Sequence, residues 1–106
     1  MSFLVALKLG RVSNLPTVWT NTVAAMVLAG AAVTSAATPA LLVSMTLFYL
    51  GGMYLNDAFD ADIDARERPE RPIPAGEITK TTVFVVGFFL LAAGLALLCL
   101  AALQSP

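Results

Sequence analysis

Four aspartates, Asp57, Asp60, Asp62 and Asp64, fall within the stretch YLNDAFDADIDARERPERPIPAG, with no lysine among them. Apolar runs flank this stretch on both sides, and it carries most of the charge in the chain. At 100° per residue, with Asn56 at 0°, a helix places Asp60 at about 40°, Asp64 at about 80° and Asp57 at about 100°. Asp62 falls at about 240° and points away. One helix face therefore carries Asn56, Asp57, Asp60 and Asp64, and Tyr49, Gly52 and Met53 continue that face toward the apolar side. Carboxylates held this close repel one another unless a cation relieves them. Mg²⁺ suits such a set, because it takes one or two carboxylates, keeps several waters and accepts phosphate oxygens for the rest. The plain alternative is a solvated helix end. A calcium loop is excluded: DADID begins like one, but Ala65 stands where glycine is needed and Arg71 where a bidentate glutamate is needed.

A second polar series precedes the first apolar run. Arg11, Asn14, Thr17 and Asn21 cover about 120° of a helical wheel. Polar side chains within an apolar segment face a bundle interior or a cavity, since hydrocarbon cannot satisfy them. Substrate contact and helix–helix hydrogen bonding are both open to Thr17 and Asn21. Arg11 can also extend to lipid headgroups.

The elements that position these residues follow from composition. The 106 residues are 58% hydrophobic and 12% charged, against about 25% charged for soluble domains. The chain thus reads as an all-α membrane protein. A net charge of −1, with no patch of interleaved aromatic and basic residues, argues against nucleic acid as a partner. Histidine is absent, which removes the commonest general base. Cys99 is alone in an apolar run and reads as a small buried hydrophobe. Three segments approach the roughly 20 apolar residues that cross a bilayer. They run from about 16 to 35, from about 39 to 56 with the helix continuing through the acidic stretch to 64, and from about 81 to 103. Pro16 fits a first helical turn, whereas Pro69, Pro72 and Pro74 exclude a helix from the second connection. All six basic residues (Lys8, Arg11, Arg66, Arg68, Arg71 and Lys80) fall on one side of such a bundle, which the positive-inside tendency makes cytoplasmic. A cleaved signal peptide competes for the N-terminus, but Asn14, Thr17, Thr20 and Asn21 interrupt its apolar region.

NDAFDADID, Asn56 to Asp64, resembles the NDxxDxxxD pattern of the UbiA superfamily of intramembrane prenyltransferases. RPERPIPAG resembles that family's arginine- and proline-rich loop, and RVSNLPTVWTN its first-helix start. The resemblance covers Arg11 to Gly76. It implies a larger multi-span helical bundle around a lipid-open cavity, in an inner or plasma membrane of a prokaryote. There an isoprenoid diphosphate, held through Mg²⁺, gives its prenyl group to an aromatic or lipid acceptor. Carried over, the motif makes Asn56, Asp57, Asp60 and Asp64 catalytic, with Asp60, Asp64 and Asn56 holding the metal. Arg71, together with Arg66 or Arg68, meets the diphosphate, and Arg11, Asn14 and Asn21 face the substrate. Family members carry a second aspartate motif, whereas this chain has no acidic residue after Glu77. The expectation is therefore an N-terminal piece, inactive alone, that lacks further helices or a partner chain. The rival reading is a non-enzymatic membrane subunit with a cation-binding helix end.

Overall fold

The computed structural model of the chain describes residues 2–30 and 37–104. Among these residues five α-helices follow one another: α1 (Phe3–Gly10), α2 (Leu15–Leu28), α3 (Ala37–Phe59), α4 (Ala61–Glu67) and α5 (Lys80–Gln104), with a 3₁₀ turn at Val12–Asn14. No strand occurs among the described residues.

Helix α1 is absent from the hydropathy reading, and it forms for local reasons. Ser2 caps it, its hydroxyl accepting from the Val5 amide at 3.2 Å. Its apolar face, Val5 and Leu9, joins Tyr54, Ala58 and Val83 in the buried core. At its end Gly10 lies so close to α3 that a Cβ there would come 2.6 Å from Leu50 Cδ2. The left-handed turn that closes the helix falls one residue later, on Arg11 (φ 46°, ψ 53°). That conformation costs a non-glycine residue about 1–2 kcal/mol.

Helix α2 has proline in its first turn, and Thr20 and Thr22 satisfy their hydroxyls on the carbonyls of Pro16 and Val18, each at 2.8 Å. It stops at Leu28, where Gly30 adopts φ 78°, the left-handed residue that commonly ends a helix. Fourteen residues make a helix about 21 Å long, short of a hydrocarbon core of about 30 Å. The expected span from 16 to 35 is thus shorter as a helix, and its residues 31–35 lie outside the described residues. Among the described residues two helices are long and apolar enough to cross a membrane, Ala37–Phe59 and Lys80–Leu103.

These two helices run antiparallel and nearly touch along a seam of small residues. A Cβ at Gly51 would meet the Gly87 carbonyl oxygen at 2.9 Å, and one at Gly94 would meet the Ser44 carbonyl oxygen at 3.2 Å. Without a hydrophobic drive between helices in lipid, such close backbone approach supplies the association. Replacing Gly87 with valine is expected to cost about 1–3 kcal/mol by overpacking, since its Cβ would lie 2.9 Å from Leu55 Cγ. Unfolding in a mixed-micelle titration would measure it. Gly52 has open space around it, so Gly52→Ala should show no such loss.

Instead of one helix from 39 to 64, the chain turns at Asp60 (φ −91°, ψ 6°) between α3 and α4. The i→i+4 bonds survive the kink, Asp60 N to Asn56 O at 2.9 Å and Asp64 N to Asp60 O at 2.8 Å. No proline or glycine causes it; the kink coincides with ion pairs that tie α4 to the following loop. That loop is a series of turns held by Ala75 N to Arg71 O at 2.9 Å and Glu77 N to Pro72 O at 2.9 Å. Ile73 and Ile78 pack it against the core. Thr79 then opens α5, its hydroxyl accepting from the Thr82 amide at 3.3 Å. Cys99 is exposed on α5, contrary to its reading as a buried residue: α3 covers only one stripe of a helix that is apolar all round.

Candidate functional site

The site gathers where α1, the end of α3, α4 and the proline-rich loop meet. Arg11 reaches across from the end of α1 and donates Nη2–H to Asp57 Oδ1 at 2.8 Å, while Nη1 lies 3.6 Å from Met53 Sδ. Its backbone is held too, the carbonyl accepting from the Tyr49 hydroxyl at 3.2 Å and from the Asn14 amide at 3.0 Å. A second tyrosine, Tyr54, donates to the Ala6 carbonyl at 3.0 Å and clamps α1 onto α3. From the other side Arg71 Nη1 meets Asp64 Oδ2 at 3.1 Å and Oδ1 at 3.3 Å, and it stands 3.6 Å from Asp57 Oδ1. Arg68 adds a weaker contact to Asp64 at 3.7 Å. Two buried carboxylates thus face three guanidinium groups.

The face drawn from the helical wheel divides in two. Asp57 and Asp64 are buried, whereas Asn56 is exposed and Asp60 half-buried. Asp64, expected among the metal ligands, forms ion pairs with Arg71 and Arg68. Asn56 and Asp60 stand one turn apart, and neither side chain has a hydrogen bond or ion pair among the described residues. Asp62 is exposed and makes no ion pair among the described residues. Of the remaining candidates, Arg66 is exposed and makes no ion pair among the described residues. Asn14 is exposed at the start of α2 without capping it. Asn21 lines an apolar groove of about 670 Å³ between α2 and α3, whose wall includes Met26, Leu41, Met45 and Tyr49. Tyr49 therefore joins the groove to Arg11. Its part was missed in the sequence, although it lies on the same wheel face as Asn56.

Among the described residues no three acidic, histidine or cysteine side chains converge to hold a metal ion. One carboxylate and one amide oxygen, Asp60 and Asn56, open to their surroundings, still fit Mg²⁺ as a partial site, because this ion leaves most of its shell to water and phosphate.

An all-helical membrane protein with an arginine–carboxylate cluster at the end of a spanning helix is the class that fold and site define. Residues 17–106 match the sequence model of the UbiA prenyltransferase family, and the chain belongs to that family. It is 41% identical over 70 residues to a digeranylgeranylglyceryl phosphate synthase of Methanothrix thermoacetophila, a match covering 65% of this chain and 26% of that protein. To the digeranylgeranylglyceryl phosphate synthase of Thermococcus gammatolerans it is 46% identical over 55 residues, covering 52% of this chain and 20% of that protein. The matched stretch thus spans about a quarter or less of these relatives. No solved structure matches the chain. Family and apolar helices together mark an integral membrane protein.

Proposed function

We propose that the whole protein transfers an isoprenyl group from an isoprenoid diphosphate to a lipid acceptor, and that these residues supply the part of the site that grips the diphosphate. The observation that carries this reading is the juxtaposition of Arg11 and Arg71, backed by buried carboxylates, with the open pair Asn56 and Asp60 at the end of an apolar helix. A guanidinium presents paired N–H groups that match phosphate oxygens. Arg11 and Arg71 bind and orient the diphosphate, and their fixed charge favours its departure from the allylic carbon. Mg²⁺, when held by Asn56 and Asp60, supplies further neutralisation of the leaving group. The groove beside Asn21 and Tyr49 seats hydrocarbon and keeps water from the cation that forms. The names of the relatives favour a glyceryl phosphate lipid over an aromatic acceptor. Residues 1–106 alone, with no carboxylate after Glu77, should not turn over.

The test is to incubate the whole protein in nanodiscs with geranylgeranyl diphosphate, Mg²⁺ and either a geranylgeranylglyceryl phosphate or an aromatic acid. Magnesium-dependent prenylated lipid and released pyrophosphate are expected. Binding of pyrophosphate without transfer to any acceptor would count against an enzyme. The proposed setting is a prokaryotic plasma membrane with the charged loop cytoplasmic. In a Cys99→Ala background, a cysteine at the exposed position 70 should be shielded from an impermeant reagent added outside, and one at the exposed position 37 should react. The opposite pattern would invert the orientation.

A further inference from the structure

We propose that Asp57 and Asp64 are positioning residues that hold Arg11 and Arg71 toward the diphosphate, and that neither is a metal ligand. The inference rests on the diphosphate-binding reading above and divides the aspartate motif into two tasks. Burial gives the direction of each pair. The Asp57 and Asp64 side chains are 5% and 1% exposed, while those of Arg11 and Arg71 are 33% and 26% exposed. Each carboxylate lies behind its arginine, and the guanidinium is in front.

Donor accounting agrees. A guanidinium has five N–H groups, and Arg71 spends only Nη1 on Asp57 and Asp64. Its Nη2 and Nε have no partner among the described residues and are left for an anion. Arg11 turns one Nη2–H to Asp57 and one Nη1–H to Met53, leaving Nε–H and one N–H on each Nη. Asp57 Oδ1 receives both Arg11 at 2.8 Å and Arg71 at 3.6 Å, so one oxygen sets the spacing of two guanidinium groups carried by distant segments. The left-handed backbone of Arg11, with its carbonyl bonded to Tyr49 and Asn14, fixes the other end of that side chain. A residue held in so disfavoured a conformation is often one whose placement function requires. A divalent ion at Asp64 would have to displace Arg71, which meets both carboxylate oxygens, and at Asp57 it would stand beside two guanidinium groups of like charge; Asp60 imposes neither cost.

The experiment measures binding of Mn²⁺ and of inorganic pyrophosphate to the whole protein in nanodiscs. Mn²⁺ affinity should fall at least tenfold in Asp60→Asn and stay within about twofold of the parent in Asp57→Asn and Asp64→Asn. With EDTA present, pyrophosphate affinity should give a non-additive double-mutant cycle between Asp57→Asn and Arg11→Gln, with coupling of at least fivefold. Additivity, or loss of Mn²⁺ binding in Asp57→Asn to the level of Asp60→Asn, overturns the proposal. Should Asp57→Asn fail to fold, Asp57→Glu keeps the charge and moves it by one methylene. A changed pyrophosphate affinity with unchanged Mn²⁺ affinity then supports positioning, and the reverse overturns it. Neither measurement needs turnover, so intact coupling without prenyl transfer would overturn the enzymatic reading alone.

Discussion

Replacing Arg71 with glutamine is expected to destabilise the protein by about 3–5 kcal/mol, the usual cost of stripping one partner from a buried ion pair. Asp64 is almost fully buried, and its closest cation is Arg71 at 3.1 Å. Arg68, at 3.7 Å and half exposed, compensates only in part, which places the loss toward the lower end of that range. The damage should spread to the loop, because the Arg71 carbonyl also accepts from the Ala75 amide in the turn that brings Ile73 to the core. Adding Asp64→Asn to Arg71→Gln removes the stranded charge and should recover most of the stability. Arg66→Gln, at an exposed site, should stay within about 0.5 kcal/mol of the parent. Chemical unfolding in detergent measures all of these. Equal stability of Arg71→Gln and Arg66→Gln would mean that water reaches Asp64.

Asp60→Asn is expected to lower magnesium-dependent transfer at least about 10²-fold, the scale of removing one preorganised electrostatic group from a reacting site. Asp60 is the one carboxylate of the motif's wheel face without an arginine partner among the described residues, and it sits at the kink beside Asn56. Asp62 lies two residues on, about 200° around the helical wheel from Asp60. Asp62→Asn should therefore retain activity within about threefold. Steady-state rates with geranylgeranyl diphosphate and varied Mg²⁺ would test this, and a rise in the Mg²⁺ requirement is expected for Asp60→Asn alone. Similar losses in both variants would mean that the acidic stretch acts through its total charge.

Much of this was legible in the chain itself, because hydropathy and helical periodicity are local properties. An uncharged run from Thr81 to Leu103 can only be a helix in an apolar setting, and α5 occupies that place. Three prolines within the segment 69–74 exclude a helix, and turns are found there. The wheel angles of Asp57 and Asp64, within about 20° of each other, put the two residues that share Arg71 on one face. The same periodicity put Asp62 on the other side.

What the wheel lacked was any knowledge of what lay across from that face. Angles along one helix cannot tell a carboxylate that meets a metal from one that meets an arginine. Whether Arg11 reaches Asp57, 46 positions away, depends on how α1 crosses α3. That crossing is set by Gly10 against Leu50 and by the Tyr54 bond to Ala6. The early stop of α2 at Leu28, just before Gly30, and the kink at Asp60 were hidden for a related reason, since glycine and aspartate are both tolerated inside helices and become breaks only in their tertiary setting. Composition and period thus determined an all-helical membrane chain with its carboxylates gathered at one helix end. Only packing decided which of them face arginine, because a charge takes the partner that the fold brings within about 3 Å of it, whatever its distance along the chain.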